Sequence, residues 1–215
     1  MAESHLERLA SDLESEAVSW DDALQYFSAT RQHALSALRG FQAQVEALDE
    51  NFLIDLYQAS QERSHSLRRA TYDELVATGS IEFLPEAISR EILSVHYDLS
   101  ERIQKVLDDT TDYRSVLRRH MDYRVQEAIV EACGDTYFFN EFGYRTLRLP
   151  ETCSVELPAT LVSEEVRRLH GNELVQQHLR YQLSNLGSRV TALESTLAGT
   201  RNTLAAVRQA TGVHP

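Results

Sequence analysis

Glu62 and His65, in "QERSH", stand three residues apart. On a helix that spacing puts a carboxylate and an imidazole on one face. Such an E-x-x-H is half of a carboxylate-bridged di-iron site, which needs a second copy of the motif and two further inward glutamates. The chain has no second copy. His96 and Asp98, in "VHYDL", and His120 and Asp122, in "RHMDY", are each two apart, a spacing that sends them to different helix faces. Cys133 closes a helical stretch, where the negative end of the dipole disfavours a thiolate nucleophile. Gly-rich phosphate loops, C-x-x-C, H-E-x-x-H and G-x-S-x-G are all missing. These residues predict a protein that is not an enzyme, with no cofactor and no metal. A metal-binding helical-bundle enzyme resting on Glu62 and His65 is a remote alternative.

The elements that would carry these residues are helical. Leu13, Ala17, Trp20, Leu24, Phe27, Arg31, Ala34, Leu38, Phe41, Val45, Leu48 and Phe52 alternate by four and three, with Arg31 the one charged residue in the row. A period of 3.5 sustained this far predicts a long helix packed along a narrow seam. It is placed at about residues 3–48, roughly 70 Å long, with Gly40 tolerated inside it. A corner follows. Thr71 and Glu74 make a capping-box pattern, Gly79 supplies a left-handed stop, and Pro85 takes the first position of the next helix.

Residues 85–132 repeat the period through Ile88, Ile92, Val95, Leu99, Arg102, Val106, Asp109, Tyr113 and Leu117, with Arg102 and Asp109 as weak points. Residues 163–211 do so through Val166, Leu169, Leu179, Leu183, Leu186, Val190, Leu193, Leu197, Leu204 and Val207. Ser163 caps this last segment, Gly171 breaks or kinks it, and Gly212 and Pro215 end it. The predicted fold is all-α. It is a single elongated antiparallel helical bundle or coiled coil over residues 1–215, with a short helical corner at 50–80. In an up-down-up bundle the first and last helices run parallel. Residues 3–22 hold seven acids and one arginine, and residues 188–215 hold three arginines and one acid. An antiparallel second chain would bring these ends together, which hints at a dimer.

Between Cys133 and Pro158 the helical period is lost. "CGDTYFFNEFGYRTLRLPETC" holds both cysteines and Tyr137, Phe138, Phe139, Phe142 and Tyr144. "YRTLRL" alternates as a strand does, and "CSVELP" is the expected partner in a short hairpin near residues 135–158. One cysteine lies at a helix end, the other lies across the only long irregular loop, and no third competes. A Cys133–Cys153 disulfide would close a loop of about 20 residues and contribute on the order of 3 kcal/mol. The alternative is two unrelated buried thiols. The five aromatics either plug the end of the bundle or form a loop that contacts a protein partner.

The net charge of −12 argues against nucleic acid, which selects a basic face, and against lying flat on anionic lipid. Lys105 is the only lysine. No apolar run is long enough to span a membrane. The abrupt opening, "ESHLERLASDLESE", reads as the middle of a helix and predicts a preceding segment.

Residues 70–99, "ATYDELVATGSIEFLPEAISREILSVHYDL", resemble a family of uncharacterised bacterial membrane-anchored proteins. In that family an N-terminal transmembrane helix runs into a long helix, followed by a T-Y-x-x-L-x-x-x-G corner and later a pair of aromatics. Thr71, Tyr72, Leu75 and Gly79 match the corner, and His96 and Tyr97 stand at the pair, with His96 departing from it. The resemblance implies a single-pass protein whose helical part lies outside the cytoplasm, and it implies no activity.

The expected function is a non-enzymatic, extracytoplasmic helical sensor or protein-interaction module, tethered by a helix absent from this sequence, on the periplasmic side of a bacterial inner membrane. Its expected partners are a protein, or a second copy through the helices, with membrane contact only through the tether. A cytosolic coiled-coil scaffold or adaptor with reduced cysteines is the alternative.

Overall fold

The computed structural model describes residues 2–211. The chain is all-α with one small hairpin: α1 (Ala2–Gly40), α2 (Glu50–Gln58), α3 (Ala70–Ala77), α4 (Arg90–Asp108), α5 (Tyr113–His120), α6 (Tyr123–Cys133), β1 (Thr136–Phe139), β2 (Arg145–Arg148), α7 (Ala159–His170) and α8 (Glu173–Thr211). The expected helix stop at Gly212 and Pro215 lies outside the described residues.

The helix α1 ends at Gly40 rather than near residue 48. Against that end α2 returns with its Phe52 ring on Gly40, so that a Cβ there would come 2.4 Å from Phe52 Cδ2. Asp49 caps α2 by accepting the Asn51 N–H at 3.0 Å. Gly40→Ala is expected to destabilise the protein by about 1–3 kcal/mol, because overpacking outweighs the better helix propensity of alanine. A thermal midpoint equal to or above that of the parent would show that Phe52 can swing aside.

The buried seam of α1 keeps only alternate members of the apolar row of the sequence. Leu9, Leu13, Glu16, Trp20, Ala23, Phe27, Thr30, Ala34 and Ala37 follow the four–three spacing and are all fully buried. Ala17, Leu24, Arg31 and Leu38 are only half-buried. The same shift occurs in α8, where Gln182 and Arg189 are buried beside Leu179, Leu186 and Leu193 while Leu183 and Val190 are half-buried.

The expected single helix over 85–132 is three helices. Pro85 opens a short 3-10 turn, and α4 begins only at Arg90. The polar run from Asp109 to Asp112 interrupts it, with the Thr111 hydroxyl donating to Gln182 Oε1 at 2.6 Å. Asp122 then restarts it by capping α6 through the Arg124 N–H. Short polar side chains compete for backbone groups and favour such breaks. The segment 163–211 likewise begins earlier, at Ala159, with Ser163 inside α7. It breaks at Gly171, where Asn172 caps α8 by accepting the Val175 N–H at 3.1 Å.

Residues 61–69 are not helical, so the expected corner at 50–80 is helical only in part. Side chains satisfy the backbone there: Gln104 Nε2 donates to His65 O, and Glu16 Oε2 accepts the Arg68 N–H. At the following corner Gly79 has φ +71°, the left-handed stop the sequence predicts. Capping comes from elsewhere than expected. The N-cap position is Arg69, which makes no side-chain cap, and Thr71 lies inside α3; its N–H donates to Asp12 Oδ2 of α1 at 3.0 Å, and Glu74 pairs with Arg8.

The residues group into two compact units: 2–24, 64–109 and 191–211 in the first, 25–63 and 110–190 in the second. In the first unit Arg208 pairs with Glu14 and Arg201 with Asp21. Position rises along α1 as it falls along α8, so the two helices run antiparallel there. The expected parallel arrangement of the first and last helices does not hold in this unit. The acidic start and basic end meet within one chain, which removes the charge argument for a dimer. Leu9, Leu13, Leu75, Ile88, Leu93, Tyr97 and Val207 form the core of this unit. The second unit buries Phe27, Leu53, Leu56, Tyr113, Leu117, Val125, Ile129, Val166 and Leu186.

Candidate functional site

The hairpin belongs to the second unit. Its strands pair antiparallel in the register Thr136↔Arg148, Tyr137↔Leu147, Phe138↔Thr146 and Phe139↔Arg145. The partner of "YRTLRL" is therefore "TYFF", not "CSVELP". Local chemistry selects it: Asn140 Oδ1 accepts the N–H groups of Phe142 and Tyr144 at 3.1 and 3.0 Å, and Gly143 turns the chain with φ +73°. Cys133 and Cys153 form a disulfide, with Cα atoms 5.4 Å apart, that ties the end of α6 to the chain beyond β2.

The base of the hairpin is held from three sides. Gln58 Nε2 donates to Cys133 O at 2.6 Å, and Tyr26 OH donates to Asp135 Oδ2 at 3.1 Å. Arg63 Nη2 donates to the buried Thr146 hydroxyl at 3.0 Å. Burial raises the Asp135 carboxyl above its usual range, although Tyr26 and the arginines Arg114 and Arg63 oppose the shift.

Successive strand residues point to opposite faces. Phe138 and Thr146 share the anchored face, and Phe138 is half-buried with the Arg148 guanidinium 4.4 Å over its ring. Tyr137 and Phe139 share the outer face, 60 % and 73 % exposed, with the Arg145 guanidinium 3.5 Å over the Tyr137 ring. Tyr144 is 40 % exposed and Phe142 is half-buried in the turn. The aromatics do not plug a bundle end; the pleat divides them, and two large rings with one arginine stand outward.

Glu62 and His65 do not make a metal half-site. Both lie on the non-helical segment 61–69, so their spacing no longer puts them on one helix face. Among the described residues no group of three His, Cys, Asp or Glu side chains could hold a metal ion. His96 and Asp98 are separated as their spacing predicts, one buried and one exposed.

A second constellation, in the first unit, escaped the sequence reading. Glu16 is fully buried in the α1 seam. Its Oε1 accepts from Trp20 Nε1 at 3.0 Å and its Oε2 from the Arg68 N–H at 3.3 Å. Trp20 stacks on His65 with ring centroids 3.7 Å apart. His96 of α4, also buried, brings Nε2 to 3.9 Å from Glu16 Oε1, beyond hydrogen-bond length. Burial pushes the Glu16 carboxyl up to about 7, against the hydrogen bond from Trp20. Burial also pushes His96 down to about 4. Between these values the pair is neutral on both sides, with the proton on the acid. The sequence signal for Glu16 is the shifted row Leu9–Leu13–Glu16–Trp20–Ala23, visible only when a charged residue is allowed into a seam.

The two shifts act in opposite directions on stability. The Glu16 contribution is full below its unfolded value of 4.5 and is lost as pH rises through about 7. The His96 contribution is full above its unfolded value of 6.5 and is lost as pH falls through about 4. Each amounts to about 3 kcal/mol at about 1.4 kcal/mol per pH unit. Between 4.5 and 6.5 the slopes cancel, so the parent protein is expected to show a plateau. Glu16→Gln keeps an acceptor for Trp20 but removes one slope. Its urea-unfolding free energy should climb with pH from about 4 to 6.5 and exceed that of the parent by about 3 kcal/mol above pH 7. Parallel curves for parent and variant would show that Glu16 is ionised in the fold.

The residues that carry the family resemblance are core and corner residues of this same unit. Leu75 is fully buried, Tyr72 stacks on Tyr97 at 4.4 Å, and Gly79 makes the left-handed turn. No helix among the described residues is long and apolar enough to cross a membrane. No protein-family model, curated protein or solved structure matches the chain.

Proposed function

We propose that this chain is a non-enzymatic helical module that works outside the cytoplasm and binds a protein partner through the outer face of its hairpin. The observation that carries this reading is the exposed trio Tyr137, Phe139 and Arg145 on a two-stranded ribbon tied by a disulfide. Aromatic residues and arginine dominate the energetic centres of protein interfaces. Holding them on a covalently closed ribbon lowers the ordering cost of binding. The disulfide supports an oxidising compartment, where such bonds persist. The resemblance at residues 70–99 adds a membrane tether to this reading.

The test is a photo-crosslinking amino acid placed at Phe139 in cells, with the even more exposed Phe83 of the first unit as control. A discrete protein adduct at position 139, absent at 83 and lost on Tyr137→Ser, is the expected result. The same adducts at both positions would sink the assignment of this face. Thiol trapping in the same cells should find Cys133 and Cys153 blocked as a disulfide; two free thiols would favour the cytosolic scaffold.

A further inference from the structure

The helix α4 is apolar on two sides. Its inner side buries Leu93, Tyr97 and Leu107. Its outer side presents Ile92, Val95, Leu99 and Val106, with Val95 59 % and Leu99 52 % exposed. This outer row is the heptad row the sequence predicts as a buried seam, with Arg102 in its remaining slot. It keeps seam spacing and stays largely exposed among the described residues. Beside it a groove of about 390 Å³ is lined by Glu91, Ile92, Val95, His96, Leu99 and, from α8, Gly199 and Thr203. A Cβ on Gly199 would meet nothing within 4 Å, so the small residues of α8 leave a channel along α4.

We propose that this face binds a second copy of the same chain, α4 against α4 and antiparallel about a two-fold axis. The charges along the helix select that occupant and that direction. Glu91 lies at the start of the row, and Arg102 and Lys105, the only lysine of the chain, lie near its end. In antiparallel pairing Val95 faces Leu99 of the other copy and Ile92 faces the Arg102 stem. Glu91 then lies beside Arg102 and Lys105 of the other copy, and symmetry makes this contact twice. Parallel pairing would instead put Glu91 beside Glu91 and Lys105 beside Lys105. Flanking charges set partner choice and orientation in paired helices, and a two-fold contact closes on itself without leaving a sticky end. Asp98 approaches its own copy near the axis and is the one opposed charge; its exposed position leaves it solvated. The argument uses only the first unit and stands apart from the hairpin.

Sedimentation equilibrium of the full chain over roughly 1–200 µM tests it. The parent is expected to dimerise in that range. Val95→Asp should weaken the dimer by about 100-fold or more, with a melting midpoint equal to that of the parent at concentrations too low for either to associate, since Val95 is not part of the core. Glu91→Lys alone, and Arg102→Glu with Lys105→Glu, should each weaken it about 10-fold, and all three changes in one chain should restore it. A monomer at every concentration would overturn the proposal. A dimer indifferent to Val95→Asp, or a combined chain no tighter than its parts, would do so equally.

Discussion

Leu186→Asp is expected to cost 4–5 kcal/mol or more, on the order of the whole stability of a modest domain. Leu186 is fully buried in the α8 seam of the second unit. The substitution removes a buried isobutyl group and leaves a cavity. It also forces a carboxyl into the buried seam next to Arg189, where it must protonate, draw that guanidinium out of its present contacts or open the structure. Circular dichroism should show the loss of a large part of the helical signal or a much lower melting midpoint. Leu183→Asp is the informative companion. The apolar row of the sequence counts Leu183 and Leu186 alike, whereas the structure leaves Leu183 half-buried and buries Gln182 in its place. Leu183→Asp is therefore expected to cost only about 1 kcal/mol. Equal losses in the two variants would show that the seam follows the apolar row after all.

Replacing both cysteines, Cys133→Ser with Cys153→Ser, is expected to lower stability by about 3 kcal/mol, the loop-closure value for a separation of 20 residues. The figure should stay near that value because the base of the hairpin keeps its other anchors: the Gln58 bond to the backbone of residue 133, Tyr26 to Asp135 and Arg63 to Thr146. Urea titrations of the double variant and of the parent with reductant should coincide. A loss below about 1 kcal/mol would mean that these side chains already hold the loop closed without the covalent bond.

The features legible in the sequence are those set by local chemistry. Gly79 turns the chain because only a residue without Cβ enters the left-handed region freely, and Gly171 breaks the last segment as expected. The all-α class follows from the long periodic rows, and the cysteine pair from its position. The features that were not legible depend on partners distant in sequence. Gly40, at the end of α1, is where Phe52 returns onto the helix, and no local signal marks that approach. Thr71 and Glu74 match a capping box, but Asp12 and Arg8 of α1 take over their backbone and carboxylate. Glu16, Thr30, Gln182 and Arg189 occupy seam slots that an apolar count assigns to their neighbours. For the hairpin the residues were found but not their orientation, because the strand partner of β2 is chosen by the Asn140–Gly143 turn. On α4 the row was found and its burial was not.

The division of the chain into interleaved units has a consequence for biosynthesis. The second unit lies wholly within residues 25–190, but the first needs residues 191–211 to join segments made long before. As the polypeptide leaves the ribosome or a translocation pore, Leu9, Leu13, Leu75 and Tyr97 wait for Leu204 and Val207 to complete their core. Until then a growing chain carries one unit able to close and one with its apolar faces open to solvent. Such half-built states attract holding chaperones and proteases, so cellular yield should depend on how quickly the final helix is delivered.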